Sequence, residues 1–163
     1  MLAVLDGCKA ADFVLFVLSA TQEVDSFGEG IIRAVEAQGI STTHTVVQRL
    51  DTIEPAKRRP DVKKSLLSFM SHFFPTTARI HDPTSAQEAP NLVRSLCTST
   101  PKGVHWRDDR PYMVVEEARF DNDELVVGGV VRGRGLKADR LVHIQGFGDF
   151  QIEKVCIASP CLL

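Results

Sequence analysis

The stretch Asp12-Phe-Val-Leu-Phe-Val-Leu-Ser19 decides the fold of the first half of the chain, because it is a continuous apolar run bounded by polar residues. A strand with one exposed face alternates between apolar and polar residues, whereas a strand covered on both faces does not. The run therefore predicts a strand that is buried on both faces of a parallel sheet. Parallel strands need long crossover connections, which are usually helices.

Helix and strand patterns alternate after this strand. Apolar residues recur at helical spacing from Phe27 to Val35 and again from Val62 to Phe73. The predicted elements are, in order, a helix at 26–38, a strand at 42–50, a helix at 62–73, a strand at 78–81 and a helix at 85–96. This order predicts an α/β fold with a parallel sheet and right-handed crossovers.

Short signals mark the ends of the predicted helices. Ser26-Phe-Gly-Glu29 is a capping-box pattern at the start of the first helix, and Gly39 is a suitable residue to end it. The start of the third helix stays open between two readings. Ser85-x-x-Glu88 suggests a cap, whereas Pro90 fits better in a first helical turn.

The sequence changes character after Pro101. Short β-branched runs, separated by turn residues and glycines, predict strands at 112–120, 125–131, 140–144 and 150–155. Such strands are typical of an antiparallel barrel or sandwich, although four are few for a closed barrel. We therefore expect an α/β domain at 1–100 followed by a β domain at 101–163.

Composition excludes several classes of protein. The chain has 163 residues, of which 44% are hydrophobic, so wholesale disorder is excluded. A net charge of −2 excludes a globally basic nucleic-acid binder, but not a local basic patch. No apolar run approaches the ~20 residues of a membrane-spanning helix. Without a signal-peptide pattern or a CxxC pair, we expect a soluble intracellular protein with reduced cysteines and no membrane partner.

The motifs of common enzyme classes are missing from the sequence. It contains no G-x-x-x-x-G-K-S/T loop to bind nucleotide phosphates and no G-x-S-x-G nucleophile motif. The five histidines are not spaced as zinc ligands. We therefore expect no enzymatic activity, no catalytic residue, no metal and no cofactor.

Basic residues cluster in two loops and beside one pair of aromatic residues. Loop cations suit contacts with phosphate, and aromatic side chains beside arginine can stack on bases. The alternative is a solvated surface without a ligand. The candidates for RNA contact are, first, Arg132, Arg134, Lys137 and Arg140; second, Lys57, Arg58, Arg59, Lys63 and Lys64; and third, Arg107 and Arg110 beside Trp106 and Tyr112.

Several strings carry a resemblance to a known family. In the second half they are Trp106-Arg-Asp-Asp-Arg-Pro-Tyr112, Val131-Arg-Gly133 and Arg140-Leu-Val-His-Ile-x-Gly-x-Gly-Asp-Phe-Gln151. In the first half, Asp6-x-x-Lys9-x-Ala-Asp12 before the buried strand agrees with them. The chain resembles the Bms-one/Tsr-one family of GTPase-like ribosome biogenesis proteins.

The resemblance implies that the chain is an internal piece of a longer protein. Residues 1–100 would be the C-terminal part of a P-loop-GTPase-like domain. Residues 101–163 would be the N-terminal part of a translation-factor-like antiparallel β-barrel. Gly146, Gly148 and Asp149 belong to the sharpest family string, and we expect them to shape a tight turn rather than to contact a ligand.

The resemblance also bears on guanine recognition. An active GTPase of this kind would carry Asn-Lys-x-Asp after the second strand, where this chain has Gln48, Arg49 and, at the last position, Asp51. This departure resembles the Tsr-one branch, which is regarded as catalytically inactive. The implied function is a scaffold for small-subunit maturation that binds precursor rRNA, ribosomal proteins and other assembly factors. The implied location is the nucleus and nucleolus, and the cytoplasm on late precursor particles.

Two alternatives stay open at this point. The first is an active GTPase of the Bms-one type that uses GTP and whose phosphate-binding loop lies outside this chain. The second is an interaction module without RNA contact.

Overall fold

A computed structural model describes residues 2–76 and 79–157, except for the side chain of Trp106. Ala78, the expected first residue of the third strand, lies outside these residues. The chain divides into two units, Met1–Val104 and His105–Leu163. Among the described residues, the helices are too short or too polar to cross a membrane.

The first unit contains a three-stranded parallel sheet with the strand order β1-β2-β3. The α/β alternation and the parallel sheet confirm the prediction, and α1 is an additional helix that no sequence pattern indicated. The elements are α1 (Leu2–Ala10), β1 (Phe13–Ser19), α2 (Ser26–Gln38), β2 (Thr42–Gln48), a 3-10 turn (Ala56–Arg58), α3 (Arg59–Phe73), β3 (Ile80–His81) and α4 (Ala89–Thr98).

The middle strand, rather than the first, is the one covered on both faces. Four consecutive residues of β2, His44–Val47, are buried. In β1, Val14 and Leu18 are buried, but Leu15 is 44% and Val17 is 53% exposed. The prediction for β1 was wrong because β1 is an edge strand of the described sheet, and the described helices cover only one of its faces.

The core of the first unit packs the covered face of β1 against two helices. Its central residues are Leu18 from β1, Ile32 and Val35 from α2, and Met70 and Phe73 from α3. Met70 has no solvent-exposed surface, so the C-terminal half of α3 is fixed by apolar burial. The N-terminal half of α3 is thereby positioned beside β3 and the start of α4.

Helix ends differ in part from the sequence signals. The residue that caps α2 is Asp25 rather than Ser26, because the Asp25 carboxylate accepts a 2.7 Å hydrogen bond from the Gly28 N–H. Gly39 ends α2 as predicted, with φ of 74°. Helix α4 begins at Ala89 with Pro90 in its first turn, which decides between the two predicted starts.

The second unit contains short antiparallel strand pairs. They form three two-stranded sheets, β4–β7, β5–β6 and β8–β9. The antiparallel pairing agrees with the prediction, but the described strands form no closed barrel, and two predicted strands are each divided in two. The elements are α5 (His105–Asp108), β4 (Tyr112–Met113), β5 (Glu117–Asp121), β6 (Glu124–Gly128), β7 (Val131–Arg132), β8 (Leu141–Ile144) and β9 (Gly148–Gln151).

Candidate nucleic-acid interface

The loop after β2 carries the positions that correspond to the guanine motif. Gln48 is the last residue of β2, and Arg49 and Asp51 follow at exposed positions. Arg49 has φ of 60°, which is uncommon for a residue other than glycine, and its carbonyl oxygen accepts a hydrogen bond from the Thr52 hydroxyl at 2.8 Å. Leu50 is buried and anchors the loop to the first unit.

Arg59, the first residue of α3, stabilises this same loop. Its guanidinium donates hydrogen bonds to the backbone carbonyl oxygens of Asp51 and Ile53, the latter at 3.2 Å. The side chain is half-buried, whereas Lys57 and Arg58 are exposed. We therefore expect Arg59 to hold the loop, and its neighbours to be more accessible to a ligand.

Glu88 links α3 to the loop that follows β3. Lys63 Nζ donates to the two Glu88 carboxylate oxygens at 2.7 and 2.6 Å, and the Asp82 N–H donates to Oε2 at 2.8 Å. Burial alone would raise the pKa of the Glu88 carboxyl, but these hydrogen bonds lower it below its ordinary value. Glu88 is thus charged at neutral pH and fixes Lys63 in place.

A groove lies beside this ion pair, between α3, β3 and α4, and we call it the α3–α4 groove. Its volume is about 410 Å³. Cationic side chains on its wall come from Lys63 and Lys64 of α3 and from Arg79 before β3, against the single carboxylate of Glu88. Within the described residues, neither Lys64 nor Arg79 forms an ion pair. The groove therefore carries an excess of positive charge.

His81 also lines the α3–α4 groove. Burial lowers the pKa of its imidazole, and the nearby charges of Lys63 and Arg79 lower it further, although Glu88 acts in the opposite direction. The ring is therefore neutral at neutral pH. The positive charge of the groove comes from its lysines and arginine.

The loop between β7 and β8, which we call the β7–β8 loop, carries the candidates ranked first by sequence. Arg134 is 75% exposed and pairs with Asp109 at 2.7 Å, and Arg140 is 72% exposed. Lys137 is exposed as well. Arg132 differs from these three, because it lies within β7, pairs with Tyr112 across the ladder and is half-buried.

The two arginines of the third candidate group have different environments. Arg107 is 8% exposed, and its guanidinium lies 5.7 Å from the centre of the Tyr112 ring. Arg110 is exposed. Arg107 is thus less accessible to RNA than the sequence suggested, since it packs on an aromatic ring.

The residues of the sharpest family string form the turn between β8 and β9. Gly146 and Gly148 have φ of 84° and 110°, values that favour glycine. Asp149 lies opposite His143 across the hairpin, and its carboxylate is 2.8 Å from the His143 Nδ1. Phe147, at the tip of the turn, is 81% exposed.

Comparison with known proteins identifies the family. The family model described as "Tsr1, G-like domain" matches residues 1–98, which is more than half of the chain. The chain belongs to the Tsr1 family. A second model, described as "AARP2CN (NUC121) domain", matches residues 100–160.

Curated relatives support the Tsr1 assignment. "Ribosome biogenesis protein tsr1" of Schizosaccharomyces pombe is 49% identical over 94% of the chain, which covers 20% of that protein. Two further relatives are named "Pre-rRNA-processing protein TSR1 homolog". The Xenopus laevis protein is 35% identical over 94% of the chain, which covers 19% of that protein. The Homo sapiens protein is 33% identical over 93% of the chain, which covers 20% of that protein. The chain thus spans about a fifth of the length of these Tsr1-family relatives.

Sequence reasoning missed part of the α3–α4 groove. Arg79 and Asn91 both line it, but they are isolated polar residues in the sequence, and only the packing of β3 and α4 brings them to Lys64. In the part of the chain that the structure describes, no three His, Cys, Asp or Glu side chains are grouped so that they could hold a metal ion.

Proposed function

We propose that this Tsr1-family chain is part of a ribosome biogenesis factor. It works as a non-catalytic GTPase-like scaffold that binds small-subunit precursor rRNA, ribosomal proteins and other assembly factors. The observation that carries the proposal is the match to a fission yeast protein named for ribosome biogenesis, which extends over 94% of the chain. It acts in the nucleus and nucleolus, and in the cytoplasm on late precursor particles.

The two units have separate places in this scaffold. The first unit is the C-terminal part of a GTPase-like domain, which agrees with its parallel sheet and with the G-like family match. The second unit is the N-terminal part of a translation-factor-like barrel, and its antiparallel pairs are the strands that such a barrel would join.

The loop after β2 supports a scaffold rather than an enzyme. Gln48 and Arg49 replace the Asn and Lys that would read guanine, and Arg59 ties the backbone of this loop to α3. We expect no GTP hydrolysis above the uncatalysed rate by the complete protein that contains this chain. GTP turnover that is lost in the Asp51→Asn variant would instead identify an active GTPase of the Bms-one type.

The RNA-binding part of the proposal rests on the exposed cations of the β7–β8 loop. Replacing Arg134, Lys137 and Arg140 together by glutamate should strongly reduce ultraviolet crosslinking of the complete protein to precursor rRNA in cells, because phosphate contacts become repulsive. The control is Arg119→Glu on β5, an exposed position in the same unit. Unchanged crosslinking in the triple variant would overturn the assignment of this loop.

A further inference from the structure

We propose that the α3–α4 groove binds backbone phosphates of RNA, with Lys64 and Arg79 as the side chains that contact them. This inference rests on the proposed function and adds to it a second RNA contact, in the first unit. Arg79 was not among the sequence candidates, and Lys64 was only one of five in its group.

The structure separates the cations of this region by what they already bind. Arg59 donates to two backbone carbonyl oxygens, and Lys63 donates to both oxygens of Glu88. Lys64 and Arg79 line the groove at exposed positions and form no ion pair among the described residues. They are therefore the cations that can bind an added anion without losing a contact of the folded unit.

The volume and the lining of the groove suit phosphate groups. Its volume of about 410 Å³ lies within the ~300–1,000 Å³ of typical ligand sites. Leu67 and the almost fully buried Ile80 give it apolar wall area, which strengthens nearby electrostatic contacts. The guanidinium of Arg79 can bind two phosphate oxygens at once, and the amide of Asn91 adds another hydrogen-bond donor.

The ion pair of Lys63 and Glu88 lies on the groove wall and engages one of its cations. The Glu88 carboxylate also accepts a hydrogen bond from the backbone N–H of Asp82, so Glu88 holds Lys63 on the groove wall. Exposed Lys57 and Arg58 lie immediately before α3, and Pro60 at its start also lines the groove. Two exposed cations thus lie beside the groove, against the one carboxylate of Asp61 in the first turn of α3, and this net positive charge favours a polymer with many phosphates over a single small anion.

The test measures binding of the 163-residue chain to a fluorescent single-stranded RNA by anisotropy across a salt series. The variant is Lys64→Ala/Arg79→Ala. Its control is Lys102→Ala/Arg119→Ala, which removes the same charge at exposed positions outside the groove. Circular dichroism spectra and thermal unfolding of each variant verify that the fold is intact.

The expected result is a less steep salt dependence for the groove variant. Each phosphate contact to a single strand contributes ~0.7 to the slope of log K against log salt, so two lost contacts remove about 1.4. The factor by which affinity falls between about 50 and 200 mM salt should then shrink about sevenfold. The control variant should keep the wild-type slope.

A second variant acts in the opposite direction. Glu88→Gln removes the one carboxylate of the groove and frees Lys63 for phosphate, so RNA binding should tighten and the slope should steepen by about 0.7. Weaker or unchanged binding by a folded Glu88→Gln variant would count against the groove.

The possible outcomes separate this inference from the proposed function. If the groove variant keeps the wild-type slope while the β7–β8 loop variant binds RNA weakly, the groove assignment is overturned and the proposed function stands. If the folded wild-type chain binds no RNA, the groove and the β7–β8 loop are both overturned as RNA-binding surfaces of this chain. Competition at matched ionic strength distinguishes other ligands. Inorganic phosphate that displaces the labelled RNA at a lower concentration than unlabelled RNA, in the wild-type chain but not in the groove variant, identifies a small-anion site. The same preference for polyglutamate identifies an acidic protein partner, and either result overturns the RNA assignment.

Discussion

Replacing Gly133 by alanine should destabilise the second unit far more than replacing Gly135. Both glycines have positive φ, 78° and 86°. A Cβ at position 133 would lie 2.6 Å from the Arg110 carbonyl oxygen and 2.9 Å from that of Asp108, whereas a Cβ at position 135 would meet nothing within 4 Å. The two variants thus share the backbone strain and differ only in the steric contact.

The magnitudes follow from these two effects. A left-handed backbone costs a residue with a Cβ ~1–2 kcal/mol, which is the full effect expected for Gly135→Ala. Backbone oxygens cannot rotate away as side chains can, so relief of the contact at Gly133 should cost a further ~1–3 kcal/mol. The two variants should therefore differ by ~1–3 kcal/mol in their free energy of unfolding, with Gly133→Ala the less stable.

Urea unfolding followed by tryptophan fluorescence measures this difference. Trp106 is the only tryptophan and belongs to the second unit, so its signal reports on that unit. We expect Gly133→Ala to have a clearly lower midpoint than Gly135→Ala at a similar slope. Equal midpoints in the two variants would refute the reasoning, because the shared strain would then account for the whole effect.

Three other predictions concern the first unit. Met70→Ala should lower its free energy of unfolding by ~2–5 kcal/mol, measured by far-ultraviolet circular dichroism in urea, because Met70 is fully buried among apolar residues. Asp25→Ala should lower it by ~1 kcal/mol in the same assay, because α2 loses the side chain that caps Gly28. Burial, and secondarily the charge of His81, lowers the pKa of His44 below its ordinary 6.5, so the unfolded chain binds the proton more tightly. The unit should therefore lose stability as the pH falls below about 6.5, and His44→Gln should reduce that loss in unfolding measured between about pH 7.5 and 5.5.

The sequence predicts the types of the elements better than their burial. β1 is entirely apolar until Ser19, yet Leu15 and Val17 are exposed, while β2 buries His44 and Thr45 completely or nearly so. Side-chain polarity is a local property, whereas coverage depends on which strand lies in the middle of the sheet. The order β1-β2-β3 makes β2 the covered strand. The pattern of residues within one strand does not reveal the order of the strands in the sheet.

In the candidate site, the sequence locates the basic residues but does not distinguish their roles. The cluster from Lys57 to Lys64 is evident in the sequence, but the sequence does not show which of its basic side chains are already bound within the fold. In the structure, Arg59 is held by carbonyl oxygens, and Arg79 joins Lys64 across the groove. Which cation is already bound is decided by folded contacts that span from six residues, for Arg59 and Ile53, to 25 residues, for Lys63 and Glu88.

Burial also decides which ion pairs can yield to RNA. Arg134 and Asp109 are 75% and 62% exposed, and such surface pairs contribute only ~0–1 kcal/mol, so a phosphate can replace Asp109 at little cost. Lys63 and Glu88 are 28% and 36% exposed, and Glu88 also accepts the Asp82 N–H, so this pair resists replacement. The proposed RNA binding is therefore compatible with a net charge of −2, because the carboxylates of the chain hold some cations firmly and others only loosely.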